Sequence, residues 1–279
     1  MPSKPVAERI SAFRELHRSG CFVSPNPWDL GSARLLEQLG FKALATTSSG
    51  FAWSVGRSDN RVTLDQALDH CRTMADAVDL PLSADFEGGF AIEPAAMAAN
   101  VARAAGTGIA GLSIEDSTGD PADPLHDYDL AVERIRAARR AITTSGTGIF
   151  LTARTEGFIV GRPDLGETVR RLSAFAEAGA DCLFAPGIRT DEEITAVVRA
   201  VAPRPVNLLV GSGFISLARA EALGVRRISV GGALARVAWG AFLGAAREIA
   251  GSGTFAGLDA AVPFRAIDGA FTPPGSRPA

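Results

Sequence analysis

Five acidic residues stand at or near the ends of short apolar runs in the sequence: Asp59, Asp85, Glu87, Glu115 and Asp116. If those runs are neighbouring strands, their ends bring the carboxylates together, and mutual repulsion raises their pKa values unless a cation is present. Oxygen-only ligands favour Mg²⁺ or Mn²⁺ over zinc. The pattern therefore predicts a divalent-cation site, for which Asp85 and Glu115 are the leading candidates. For Asp116 and Glu156, helix capping or pairing with an arginine is an equal alternative.

An arginine and a polar turn at two other run ends are suited to binding an anion. Arg154 ends the run IFLTART, and its planar guanidinium matches a carboxylate. A salt bridge to Glu156 or Glu115 is the alternative. Ser49 and Gly50 end the run ALATTSS and offer a hydroxyl and backbone N–H groups to an oxyanion, against the alternative of a plain turn. The candidates for substrate contact are Ser49, Gly50, Phe51, Arg154 and Asn207.

Other kinds of chemistry are disfavoured. No histidine stands at the end of an apolar run, which argues against zinc and against a Ser-His-Asp relay, and no lysine does, which argues against a Schiff-base aldolase. The cysteines at positions 21, 71 and 182 form no CxxC pair and are expected to be small core residues. His126 follows the fourth run, in a loop that could act as a lid. A solvated turn that caps the next helix through Asp127 is the favoured alternative.

The elements that must position these residues alternate along the chain. Eight apolar runs cover residues 21–27, 43–49, 81–87, 111–116, 149–155, 182–187, 206–211 and 227–232. Each is typical of a buried strand, and the amphipathic segments between them often end at a glycine. Eight strand–helix units predict an α/β fold, a (β/α)8 TIM barrel with its active site at the carboxyl ends of the strands. A doubly wound sheet is the alternative, but PNPWDLGSA is not its glycine-rich turn.

The predicted barrel is a single domain over residues 1–279. It carries an extra helix over residues 3–19 before the first strand and a disordered tail over 272–279. The charges balance closely, with 28 basic and 31 acidic residues, so a nucleic-acid partner is disfavoured. The most apolar stretch, 228–250, is interrupted by Arg236 and Arg247, which disfavours a membrane-spanning segment. No apolar signal segment is visible. Because the three cysteines indicate no disulfide framework and no targeting signal is visible, we expect a cytoplasmic protein. The predicted cation and anion sites indicate a small-molecule partner.

Taken together, the residues at the ends of the apolar runs resemble those of the isocitrate lyase/phosphoenolpyruvate mutase superfamily. The phrases that carry the resemblance are PNPWDLGSARLLEQLGFKALATTSSG, LPLSADFEGGF, GLSIEDS, TARTEGF and PVNLLV, in that order. The resemblance implies a Mg²⁺-dependent barrel enzyme that breaks or forms C–C or P–C bonds in 2-oxo acids or their enol phosphates.

The resemblance also implies roles for individual residues. Asp85 would bind the metal directly or through water, Glu115 would hold metal-bound water, and Asp59 would lie near the metal. Glu87 would replace a carboxylate that the family often has where this chain has Ser83. In the same way, Arg154 would bind the substrate carboxylate, and Ser49 with Gly50 would bind the oxo oxygen and carboxylate.

Departures from the family pattern narrow the expected activity. The chain lacks both the cysteine-containing KKCGH-type loop of the isocitrate lyases and the Lys/Asn-rich gating loop of the mutases, and Pro186 stands where a mutase has histidine. The pattern is similar to the oxaloacetate decarboxylase subgroup. We therefore expect a lyase that cleaves or decarboxylates a small 2-oxo dicarboxylate through a metal-stabilised enolate. The alternatives are a P–C bond enzyme of the mutase or phosphonopyruvate hydrolase type and a non-catalytic 2-oxo acid binding protein.

The resemblance also implies that several copies of the chain form an oligomer. Family members typically form tetramers that exchange the last helix between neighbouring subunits. The segment 233–250 fits this because one face at helical spacing is apolar, with Leu234, Val237, Ala238, Ala241, Phe242 and Ala245. We expect a homo-oligomer, with a tetramer as the leading candidate.

Overall fold

Eight short strands form the sheet of the computed structural model, which describes residues 2–272. They are β1 (Phe22–Val23), β2 (Leu44–Ala45), β3 (Leu82–Asp85), β4 (Gly111–Glu115), β5 (Phe150–Arg154), β6 (Cys182–Phe184), β7 (Val206–Leu209) and β8 (Arg227–Ser229). The strands pair in the order β1-β8-β7-β6-β5-β4-β3-β2, and every pair is parallel. The outermost strands also approach each other, since the N–H of Ala45 donates to the carbonyl of Pro25 at 3.1 Å. This curled parallel sheet is consistent with the predicted TIM barrel.

Helices connect and surround the strands. They are α1 (Val6–Leu16), α2 (Leu30–Gln38), α3 (Ser48–Ser54), α4 (Leu64–Ala75), α5 (Pro94–Ala105), α6 (Tyr128–Ser145), α7 (Leu165–Glu177), α8 (Asp191–Val201), α9 (Leu217–Ala222), α10 (Ala233–Ser252) and α11 (Phe264–Phe271). A 3-10 helix over Ala256–Ala260 joins the last two. No helix within residues 2–272 combines the length and the apolar character needed to cross a membrane.

Helix α1 precedes the first strand and packs at the amino ends of the strands. Its Phe13 is fully buried and meets the ring of Phe150, at the start of β5, edge to face with centroids 5.4 Å apart. His17 stacks on the same ring at 4.2 Å. This aromatic cluster fills one end of the sheet and leaves the opposite, carboxyl end for a site.

The predicted strand over residues 43–49 is too long. The structure ends β2 at Ala45 and begins α3 at Ser48, because the hydroxyl of Thr47 accepts the N–H of Gly50 at 3.4 Å and caps a helix there. Helix α11 was also not expected from the sequence. The predicted tail over 272–279 lies, apart from Thr272, outside the described residues.

The strands turn polar side chains toward the centre of the sheet. Residues two apart on a strand share a face, and those that line the central cavity are Ser83 and Asp85, Asn207 and Leu209, and Arg227 and Ser229, with Ser113 and Arg154 from β4 and β5. Barrel interiors are usually filled by branched apolar side chains. The polar interior here leaves room for a polar ligand below the carboxyl ends of the strands.

Candidate active site

A cavity of about 190 Å³ lies within the sheet at the carboxyl ends of its strands. Its lining includes Asn26, Thr46, Ser48, Ser49, Asp59, Ser83, Asp85, Ser113, Arg154, Asn207, Arg227 and Ser229. Pockets for drug-sized ligands begin near roughly 300 Å³. The cavity therefore suits a small organic acid better than a nucleotide.

Asp85 is fixed in this cavity by hydrogen bonds from three sides. Its backbone N–H donates to the hydroxyl of Thr46 at 2.8 Å. Its carboxylate accepts the N–H of Ser48, the first residue of α3, at 3.0 Å, and lies 3.4 Å from Nη1 of Arg154. A carboxylate held in this way keeps one orientation toward the cavity.

Arg154 is shared among three carboxylates. Its Nε and Nη2 donate to the two oxygens of Glu156, with 2.9 Å for the Nη2 bond, and Nη1 lies 3.3 Å from Glu115 and 3.4 Å from Asp85. Burial opposes the charge on Arg154, but these three acids together raise its pKa well above the ordinary value. The guanidinium lines the cavity, as an anion-binding residue should, but it also forms the salt bridges to Glu156 and Glu115 that were the alternative prediction. Little of its charge is therefore left for a substrate.

Three carboxyl groups near Asp85 have raised pKa values. Burial is the main cause at each of them. Repulsion from Asp85 and Asp59 adds to it at Glu87, whose pKa is raised to about 8. Repulsion from Glu156 and Asp85 adds to it at Glu115, and Asp85 also repels Asp59. With all of its carboxyl groups ionised, the cluster would carry more negative charge than Arg154 balances, and a bound cation would relieve that repulsion.

The acid cluster fits Mg²⁺ held partly through water. Glu87 and Glu115 line a neighbouring cavity of about 570 Å³, and Asp59 lines both cavities. Within residues 2–272, no three acidic, histidine or cysteine side chains group closely enough to enclose an ion by themselves. Mg²⁺ commonly keeps several waters and takes only one or two carboxylates. Asp85 as the direct ligand, with the other acids acting through water, is compatible with this arrangement.

Three of the residues predicted to contact substrate, Ser49, Gly50 and Phe51, lie on α3, and not all of them line the cavity. Ser49 lines it, and its hydroxyl lies 3.1 Å from that of Thr47. Ser48, which the sequence analysis did not select, lines it as well. Gly50 and Phe51 do not, because Gly50 is buried against Thr47 and Phe51 stacks on His70 at 3.9 Å between ring centroids.

Asn207 and Arg227 form the deeper part of the lining. Asn207 is buried, donates to the hydroxyl of Ser229 at 2.9 Å and accepts from Nε of Arg227 at 2.8 Å. Asn207 was selected from the sequence and Arg227 was not. The sequence does contain a signal for Arg227. Three strands carry a polar residue two positions before their last residue, in SAD, SIE and TAR, and Arg227 holds the same position in RIS.

The loop between β4 and α6 is tied to the site through Asp116. The Asp116 carboxylate accepts the hydroxyl of Thr155 at 2.8 Å, the N–H of Glu156 at 2.9 Å and Nη1 of Arg171 at 3.1 Å. Arg171 also donates to the carbonyl of His126 at 2.9 Å. Asp116 therefore positions Glu156, which in turn holds Arg154.

His126 is buried rather than part of a solvated turn. It lines the cavity of about 570 Å³ together with Glu87 and Glu115. Burial, then Arg134 and Arg171, lower its pKa. The His126 imidazole thus lines the same cavity as three of the acids, Asp59, Glu87 and Glu115.

Known proteins resemble this chain along most of its length. The family model described as phosphoenolpyruvate phosphomutase matches residues 13–250. A crystal structure from Burkholderia cenocepacia J2315, provisionally described as a lyase/mutase, has a TM-score of 0.94 and 49% identity and covers 98% of this chain and 99% of that chain. An uncharacterized protein of Mycobacterium tuberculosis is 34% identical over 79% of this chain and 81% of its own. An oxaloacetate decarboxylase of Paraburkholderia xenovorans is 30% identical over 80% of this chain and 75% of its own.

Proposed function

The chain belongs to the isocitrate lyase/phosphoenolpyruvate mutase superfamily, and on this premise we propose that it is a Mg²⁺-dependent carbon–carbon lyase acting on a small 2-oxo dicarboxylate. Mg²⁺ dependence is general among the superfamily. The observation that carries the proposal is the acid cluster around Asp85, with its raised pKa values, beside a cavity sized for a small acid.

Asp85 would hold Mg²⁺, with Glu87, Glu115 and Asp59 acting through water, and the ion would supply a Lewis acid for charge that develops on the 2-oxo oxygen. The chain's own residues position the reactants. Ser49 lines the cavity, and its hydroxyl would donate to a substrate oxygen.

Decarboxylation is the favoured form of cleavage. It releases CO₂ as the C3–C4 bond breaks, so the departing group needs no proton from an acid. This agrees with the buried state of Cys71 and Cys182, neither of which lines the cavity. The named relative from P. xenovorans, an oxaloacetate decarboxylase, supports the same reaction.

We also propose that the protein assembles through α10. Of its 20 residues only Ala235 is buried, while Val237 is 70% and Phe242 58% exposed. Apolar side chains exposed along one helix are typical of a subunit interface. Exchange of α10 between neighbouring subunits of a tetramer would cover them.

A substrate panel tests the activity. Purified protein is incubated with 2-oxo dicarboxylates, including oxaloacetate, and with phosphonopyruvate, in Mg²⁺ and in EDTA. Proton and phosphorus NMR then follow the formation of pyruvate and phosphate. Mg²⁺-dependent pyruvate formation from a dicarboxylate above the spontaneous rate supports the proposal. Turnover of phosphonopyruvate alone would favour a P–C bond enzyme, and tight binding without turnover would favour a binding protein.

A further inference from the structure

Arg227 is an arginine inside the sheet that has no carboxylate partner among residues 2–272. It is only 4% exposed and lines the cavity of about 190 Å³. Its Nε donates to Asn207 at 2.8 Å and its Nη2 donates to the hydroxyl of Thr152 at 3.1 Å. Its Nη1 is buried and has no acceptor. A cationic residue that lacks a counter-ion therefore lines the cavity.

Two other buried arginines have acidic partners, because Arg154 pairs with three acids and Arg171 pairs with Asp116 and Glu167. Arg9 and Arg134 donate only to backbone carbonyls and, like Arg227, leave a buried nitrogen without an acceptor. Arg227 differs from these two in lining the cavity of about 190 Å³, and burial lowers its pKa. A buried charge without a counter-ion destabilises the folded state, so an anion placed in this cavity would stabilise it.

The cavity is polarised along its length. Its two acidic lining residues, Asp59 and Asp85, lie at or beyond the carboxyl ends of the strands, beside Arg154, whose charge is shared with three acids. Arg227 is the first residue of β8 and lies deeper. Between them the wall carries hydroxyl groups, including those of Ser83 and Ser113. A ligand with an anionic end pointing inward and a metal-binding end pointing outward matches this arrangement.

We propose that Arg227 is a specificity-determining residue that binds the inner carboxylate of a small dicarboxylic acid. The inference rests on the proposed function, since that acid would be the 2-oxo dicarboxylate substrate. One guanidinium matches the single charge of a carboxylate. The cavity of about 190 Å³ is smaller than the roughly 300 Å³ at which pockets for drug-sized ligands begin, which suits a four-carbon acid.

Calorimetric binding of two unreactive ligands tests the assignment in the presence of Mg²⁺. Malate and 2-hydroxybutyrate differ only in having a carboxylate or a methyl group at the fourth carbon. Wild-type protein should bind malate more tightly by roughly tenfold or more, as expected for a hydrogen bond to a charged group. Arg227→Met should lose this preference and keep its affinity for 2-hydroxybutyrate. Arg9→Met, which removes another buried arginine remote from the cavity, should behave as wild type.

The opposite results would overturn the inference. They are no preference for malate in the wild type, an unchanged preference in Arg227→Met, or Arg227-dependent binding of inorganic phosphate with no malate preference. If Arg227→Met does not fold, a crystal structure of the wild type with malate decides. A carboxylate on the Arg227 guanidinium supports the proposal, and a malate bound elsewhere refutes it.

The binding test and the substrate panel fail independently. Arg227-dependent malate binding without turnover of any 2-oxo acid would leave the subsite and remove the proposed activity. Turnover without an Arg227-dependent preference would leave the activity and remove the subsite.

Discussion

Arg154 illustrates how neighbouring charges set the role of a single side chain. Its position at the end of β5 predicts an anion anchor, but the parallel register places Arg154 beside Glu115, and Glu156 covers its Nε and Nη2. The three acids that share it leave little charge for a substrate. Arg154 therefore keeps Asp85 and Glu115 oriented, and a direct contact between Arg154 and the substrate carboxylate stays a prediction.

Glu87→Gln should weaken the pH dependence of stability in metal-free protein. The pKa of Glu87 is about 8 in the folded state, chiefly through burial and then through Asp85 and Asp59, against about 4.3 in the unfolded chain. Between these values the folded state keeps a proton that the unfolded state releases. The free energy of unfolding therefore falls as the pH rises from about 4.3 to 8.

Thermal unfolding in EDTA across this pH range measures the effect. The wild type should lose stability toward pH 8, Glu87→Gln should lose less, and Mg²⁺ should restore part of the loss in the wild type. Glu93→Gln, at an exposed position before α5, is the control and should follow the wild type. Equal slopes for Glu87→Gln and the wild type would show that the raised pKa of Glu87 does not cause the loss of stability.

Helix α3 brings backbone and hydroxyl groups of the second strand end to Asp85. Its start depends on Gly50, where a Cβ would lie 2.7 Å from Cγ2 of Thr47 and 2.9 Å from Cβ of Trp28. Gly50→Ala should therefore destabilise the protein by about 1–3 kcal/mol through overpacking. It should also lower turnover, because Ser48 and Ser49 would shift relative to Asp85.

Chemical denaturation and steady-state kinetics check this prediction. Gly211→Ala is the matched control, because nothing lies within 4 Å of the Cβ it would add. If Gly50→Ala unfolded at the same denaturant concentration as the wild type and kept its activity, the packing role of Gly50 would be wrong.

The strands were predictable because each is a short apolar run, and the acids were predictable because they end those runs. Helix α3 was not, since ATTSSGF continues a strand-like run and only the Thr47 cap marks the change. Arg227 was missed for a different reason. Arg227 stands two positions before the end of β8, and which residues there face inward depends on the strand register, which becomes visible only in three dimensions.

The exposed apolar face of α10 leads to a prediction about the whole assembly. Val237→Glu combined with Phe242→Glu should dissociate the oligomer, because charges would replace two of its most exposed apolar side chains. Light scattering at micromolar protein concentration measures the mass. Leu39→Glu, at an exposed apolar residue remote in sequence from α10, should leave the mass unchanged. A monomeric wild type would contradict the proposed interface.

The most direct test of the account is a Mg²⁺ titration of pyruvate formation from the 2-oxo dicarboxylate that the panel identifies, in wild type, Asp85→Ala and Glu115→Gln. Loss of one well-placed electrostatic stabiliser costs on the order of 3–4 kcal/mol, or roughly 10²–10³ in rate. We predict that loss for Asp85→Ala, with its fold confirmed by circular dichroism, and a smaller loss for Glu115→Gln. A folded Asp85→Ala protein with wild-type turnover and unchanged Mg²⁺ dependence would contradict the metal site and the proposed chemistry.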